Sequence, residues 1–111
     1  MNDSFAPLGV LEEQILVAVL CTRDEAYGMQ VRREIERVTD RELAIGAVYA
    51  TLDRLEAKGL LTSRRAPSAG PSRRVFAVSA KGARALTETR TMRERLWRGV
   101  DVQRLLILAG A

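Results

Sequence analysis

The chain has 111 residues, 18 basic and 14 acidic side chains, a formal net charge of +4 and 47% apolar residues. That suits one globular domain whose core hides roughly two thirds of the surface of the unfolded chain, and it argues against disorder. With no histidine and a single cysteine, Cys21, the chain lacks the means for His/Cys zinc sites, Ser–His or Cys–His catalysis and internal disulfides.

Segment 1–8 has neither the basic start nor the apolar stretch of a secretory signal. Leu8, Leu11, Ile15, Ala18 and Val19 then fall at helical spacing around Glu12, Glu13 and Gln14, which predicts a first helix over 9–22. Within the apolar run 15–21, Cys21 reads as a small buried hydrophobe. A polar turn at 23–25 leads to a second helix over 27–38. Its stripe is Tyr27, Val31, Ile35 and Val38, and its wet side is Arg32, Arg33, Glu34, Glu36 and Arg37, some pairing at four-residue spacing. A loop at 39–42 precedes a third helix over 46–58, with Val48, Leu52 and Leu55 inward and Gly59 placed to end it.

After Gly59 the period changes. Segments 60–65 and 73–78 suit two strands, and 66–72, containing Pro67, Gly70 and Pro71, suits the mobile tip of a β-hairpin. Ser79 can cap a fourth helix that starts near residue 80 and runs through Leu86, Met92 and Leu96. Gly99 weakens that helix by about 1 kcal/mol, yet 102–108 is apolar enough to continue it under cover. No run approaches the ~18 apolar residues of a membrane span.

The predicted fold class is therefore mainly α with a small β-hairpin. Three helices, a basic hairpin and a further helix are the order of a winged helix-turn-helix, in which the third helix enters the major groove and the wing meets the adjacent backbone or minor groove. We place that unit at 8–79, and a C-terminal dimerisation helix with its tail, part of the same compact unit, at 80–111.

Charge follows this division. Residues 1–44 carry 5 basic and 9 acidic side chains, 45–79 carry 6 and 2, and 80–111 carry 7 and 3. Positive potential gathered on part of a small domain is the footprint of a polyanion partner. With Val48, Leu52 and Leu55 inward, Gly46, Ala50, Asp53 and Ala57 turn outward with Arg54 alongside, a face small enough to approach a groove floor. Arg54 is the candidate reader of a guanine edge, with a surface pair to Asp53 or Glu56 as the alternative. Lys58 suits a phosphate. Tyr49 and Thr51 lie on the flanks where hydroxyls can reach phosphates, although Tyr49 can equally serve as half-buried packing. Arg64, Arg65, Arg73 and Arg74 bracket the hairpin tip, and no Asp or Glu occurs between residues 57 and 87. We read them as phosphate or minor-groove contacts.

The blocks AYGMQVRREIE (26–36), GAVYATLDRLEAKGLL (46–61) and RRVFAVSAKG (73–82), with LGVLEEQILVAVL (8–20) before them, resemble the PadR family of bacterial transcriptional regulators. The resemblance covers roughly 8–86, and it is most specific where Tyr49, Leu52, Arg54, Leu55, Lys58 and Gly59 fall together. It implies a homodimeric repressor with Tyr49, Arg54 and Lys58 on the DNA-facing helix and Arg73 and Arg74 in the wing. A dimer sets two third helices about one helical turn apart, so an inverted-repeat operator is expected, and without a secretory signal or membrane run the expected location is the cytoplasm. Two features depart from the family pattern: Ala44, followed by Ile45, stands where a serine usually precedes the third helix, and the wing has Ala69-Gly70-Pro71 and Val75-Phe76 where a paired glycine and adjacent tyrosines are usual.

The short chain after the wing resembles the subfamily with a single C-terminal helix that packs on the partner subunit. Leu86, Met92, Leu96 and Val100 form the expected dimer stripe, with Trp97 beside it. Trp97 reads as interface packing, or, as in some short relatives, as a platform for a small planar aromatic effector. The chain offers no catalytic constellation and implies no cofactor or metal. The contrasting reading is a winged-helix module for protein association, its wing docking an acidic partner.

Overall fold

The computed structural model describes residues 7–66 and 73–110. The first helix, α1 (Val10–Thr22), opens where the Glu12 carboxylate turns back to accept the Gly9 N–H at 2.9 Å, satisfying a donor that a helix start leaves open. A short 3-10 turn (Arg23–Glu25) leads to α2 (Gly28–Thr39), which Asp40 ends in the left-handed region at φ 56°. The turn from α2 to α3 (Ile45–Ala57) is held by α2 itself. Arg32 Nε donates to the Leu43 carbonyl at 2.9 Å, and the Glu36 carboxylate accepts the Leu43 N–H at 2.7 Å. The wet side read from the sequence thus also clamps the turn that aims α3. Ala44 stands at the N-cap of α3 with no side-chain hydrogen bond, as its lack of a hydroxyl requires.

Gly59, at φ 79°, closes α3. Its N–H reaches the Glu56 carbonyl at 2.9 Å and the Leu60 N–H reaches the Leu55 carbonyl at 2.9 Å, the paired bonds that a left-handed glycine allows. The chain then enters an antiparallel hairpin, β1 (Leu61–Arg65) with β2 (Arg74–Val78), in the register Leu61–Val78, Ser63–Phe76 and Arg65–Arg74. The tip at 67–72 lies outside the described residues. The outer edge of β2 is not left bare: the Phe76 N–H donates to the Ala26 carbonyl at 3.0 Å.

Ser79 caps α4 (Ala80–Arg98) by accepting the Gly82 N–H at 3.0 Å, while its own hydroxyl donates to the Gly59 carbonyl at 2.6 Å. Gly82 is packed so closely that an added Cβ would lie 2.2 Å from the Leu60 oxygen. Thr89, nearly buried, accepts the Leu8 N–H at 3.2 Å, and Arg93 pairs with Glu13, so α4 lies along α1. The core is Ile15, Leu16, Val31, Val48, Leu52, Leu55, Leu61 and Phe76.

Three expectations are corrected. Cys21 is exposed rather than buried, and Val38 stands 64% exposed at the edge of α2. The C-terminal helix is not one element. Gly99 ends α4, and Asp101, accepting the Arg104 N–H at 3.2 Å, starts a separate α5 (Val102–Leu108). No residue of α5 is buried.

Candidate nucleic-acid interface

The spacing that buries Val48, Leu52 and Leu55 completely leaves Gly46, Ala47, Tyr49, Ala50, Asp53, Arg54, Ala57 and Lys58 exposed on α3. This surface is low along its middle, with Ala50 at its centre, and basic at the Arg54–Lys58 end. Tyr49 packs its ring against Gly28, where a Cβ would meet the ring at 2.5 Å, yet the residue stays 40% exposed. Packing and an accessible hydroxyl coexist there.

Thr51 does not lie on the flank. It is 2% exposed, donates to the Ala47 carbonyl at 2.8 Å, and accepts from Arg54 Nη2 at 3.3 Å. Its hydroxyl is spent inside the helix, as is common for threonine in a helix interior, and it steadies Arg54 rather than reaching outward.

Arg54 of α3 and Lys58 at its C-cap both meet a carboxylate that sequence reasoning did not connect with them. Glu12 of α1 lies 2.9 Å from Lys58 Nζ and 3.8 Å from Arg54 Nε, with its side chain 15% exposed. The hydrogen bond from Lys58, helped by the Gly9 N–H, holds the Glu12 carboxyl below the usual carboxylate range. Arg54 and Lys58 themselves remain about half exposed, so their heads are held at the surface and stay accessible. The alternative pairing of Arg54 with Asp53 or Glu56 is not the one formed; its ion-pair partner is Glu12.

The four hairpin arginines separate by register. Arg65 and Arg74 stand opposite one another, while Arg64 is opposite Val75 on the other face. Arg64, Arg65 and Arg73 are exposed, and Arg73 lies over the Tyr27 ring at 5.1 Å. Arg74 is different. The stretch without acids in the sequence is bridged in space by α3: Arg74 Nη1 lies 2.9 Å from Asp53 Oδ1, Arg74 Nη2 pairs with Glu56, and the guanidinium covers the Phe76 ring at 4.8 Å. Asp53, then Glu56, raise the Arg74 pKa above that of a free arginine.

Of the expected dimer stripe, Leu86 and Met92 are half-buried, while Leu96 is 68%, Trp97 56% and Val100 39% exposed. Val10, Val17 and Leu20 on the outer face of α1 are exposed as well. Among the described residues there is no group of His, Cys, Asp and Glu able to hold a metal ion, and no helix is long and apolar enough to cross a membrane.

Comparison with known proteins agrees with this architecture. The Transcriptional regulator PadR-like family matches residues 15–88. The Transcriptional regulator Rv3488 of Mycobacterium tuberculosis is 40% identical over 77 residues, covering 69% of this chain and 71% of the relative. Among solved structures, RosR of H. salinarum superposes with a TM-score of 0.70 at 21% identity, covering 92% of this chain and 88% of the other. A PadR family transcription regulator from Clostridium difficile R20291 gives 0.58 at 20% identity, with 93% and 100% covered.

Proposed function

This chain belongs to the PadR-like family of transcriptional regulators, and from that premise we propose a cytoplasmic homodimeric repressor that binds an inverted-repeat operator. It is a DNA-binding regulator with a winged helix-turn-helix fold, and not an enzyme. The observation that carries the finer reading is the surface of α3: small at Gly46, Ala50 and Ala57, edged by Arg54 and Lys58, and continued by the exposed arginines of the hairpin. In this reading α3 enters the major groove and Arg54 reads a guanine edge through its planar fork. Lys58, Arg64, Arg65, Arg73 and the Tyr49 hydroxyl meet phosphates.

Dimerisation rests on uncovered apolar surface. Leu96 and Trp97 of α4, Val100 just after it, and Leu105, Leu106, Ile107 and Leu108 of α5 are all exposed in one protomer, more than a monomer readily leaves in contact with water. A two-fold arrangement sets the C-terminal helices of each subunit against the exposed face of α1 on the other. It also brings two Trp97 side chains into the shared region, where a planar aromatic effector can stack and bias DNA binding.

The test is a salt titration of the dimer on the DNA upstream of its own gene and on a scrambled duplex. Binding is expected to prefer the former and to fall steeply with salt as counterions are released. Failure to bind either duplex at low salt would overturn the reading in favour of a protein-association module.

A further inference from the structure

Arg74 is held between two carboxylates of α3. Its Nη1 lies 2.9 Å from Asp53 Oδ1 and its Nη2 holds Glu56, so one positive charge is shared between two negative ones. The remaining Glu56 oxygen accepts the Ser63 hydroxyl at 2.7 Å. The cluster is net negative by one charge, and a phosphate brought there meets a guanidinium already engaged with two carboxylates. What the cluster does is mechanical. Asp53 and Glu56 sit three residues apart on α3, Ser63 lies on β1, and Arg74 opens β2. A two-stranded hairpin has little stability of its own in water, so its angle to α3 depends on what holds it. Below the cluster, Arg74 covers Phe76, which is 2% exposed.

We infer that Arg74, with Asp53, Glu56 and Ser63, is a positioning bracket that sets the wing against the recognition helix, and that Arg74 is not itself a phosphate contact. The inference rests on the DNA-binding reading of α3 and the wing. It assigns a use to an acidic residue, Asp53, 61% exposed in its side chain, on the very face that would approach a polyanion. Without the bracket such a residue only repels DNA.

The two roles differ in sign. If Asp53 merely repels phosphates, Asp53→Asn tightens operator binding. If it anchors the wing, Asp53→Asn and Glu56→Gln weaken binding although each removes a negative charge. Lysine keeps the charge of Arg74 but cannot span two carboxylates, so Arg74→Lys is expected to lose about tenfold in operator affinity and to add little to Glu56→Gln when the two are combined, as residues of one network do. Cleavage footprints on the operator should then keep the major-groove protection by α3 and lose the protection on the wing side. Thermal unfolding is measured in parallel, and the exposed Asp53→Asn keeps the test valid if the Glu56 variant folds poorly. Tighter binding by Asp53→Asn, or wild-type affinity and footprint in Arg74→Lys, overturns the bracket while leaving the DNA-binding reading intact. Absence of DNA binding by the wild type overturns both.

Discussion

Replacing Gly82 by alanine adds one methyl group at the tightest seam of the fold. The methyl carbon would stand 2.2 Å from the Leu60 carbonyl oxygen, 3.1 Å from its carbon and 3.0 Å from a Val78 methyl. Ordinary contact is at ~3.5 Å, so the start of α4 and the α3–β1 connection must separate by more than 1 Å, roughly. The same Leu60 oxygen accepts the Ser79 N–H at 3.1 Å, and separation strains that bond together with the cap. Alanine recovers at most about 1 kcal/mol of helix preference, against overpacking of 1–3 kcal/mol or more, approximately, with backbone rather than a rotatable side chain in the way. We expect a net loss of about 2 kcal/mol, which lowers the melting temperature by roughly 10 °C for a domain of this size. Gly28→Ala is the control. There the methyl group meets the Tyr49 ring, at 2.5 Å, and a partly exposed side chain can swing aside, so stability changes by less than about 1 kcal/mol. Urea and thermal unfolding at one protomer concentration check both. Equal midpoints for Gly82→Ala and wild type would refute the reasoning, as would equal losses in the two variants.

Arg54→Ala is expected to cost ~1–3 kcal/mol on the operator and to relax discrimination at one base position per half-site, whereas Arg73→Ala weakens all sequences alike and lowers the salt slope by about one; competition titrations separate the two. Glu12→Gln releases Arg54 and Lys58 and removes a nearby negative charge, so non-specific DNA affinity rises, read at fixed salt. Because the folded-state pKa of Glu12 is depressed, its contribution to stability is present above the ordinary carboxylate pKa and is lost as pH falls through the folded value. The Gln variant therefore shows a shallower loss of stability on acidification, measured by urea midpoints across that range. Leu96→Asp combined with Val100→Asp places charge in the proposed interface, and light scattering should report monomers where the wild type forms dimers.

Most of this fold could be read from spacing. Val48, Leu52 and Leu55, expected inward, are all fully buried, and Ser79 caps α4 as its position suggested. Where spacing misled, the reason is local. Thr51 lies three residues after Val48 and four before Leu55, which puts it on the same buried stripe, where its hydroxyl is satisfied by the Ala47 carbonyl. In α1, apolar residues such as Val10, Val17 and Leu20 point outward as well, so periodicity could not choose the face on which Cys21 falls. The partners of the basic residues were beyond reach for another reason. Glu12 precedes Lys58 by 46 residues and Asp53 precedes Arg74 by 21, and nothing in local pattern predicts which carboxylate the folded chain brings to which cation.

The bond from Leu8 to Thr89 and the pair of Glu13 with Arg93 join segments 81 and 80 residues apart, and this orders events during synthesis. Helices α1, α2 and α3 can collapse from near-neighbour contacts as soon as they emerge, which is the fast part of folding. The hairpin cannot seat until Phe76 reaches the Ala26 carbonyl, and α1 lacks its last neighbour until α4 has been made. A chain growing at ~5–20 residues per second therefore holds α3 for some seconds before it holds the hairpin. Loop closure over such spans adds only slowly with length, so the delay is set by translation rather than by search. Interrupted chains that end before α4 should keep the helix-turn-helix and present the side of α1 that Thr89 and Arg93 cover in the finished protein, a ready target for proteolysis.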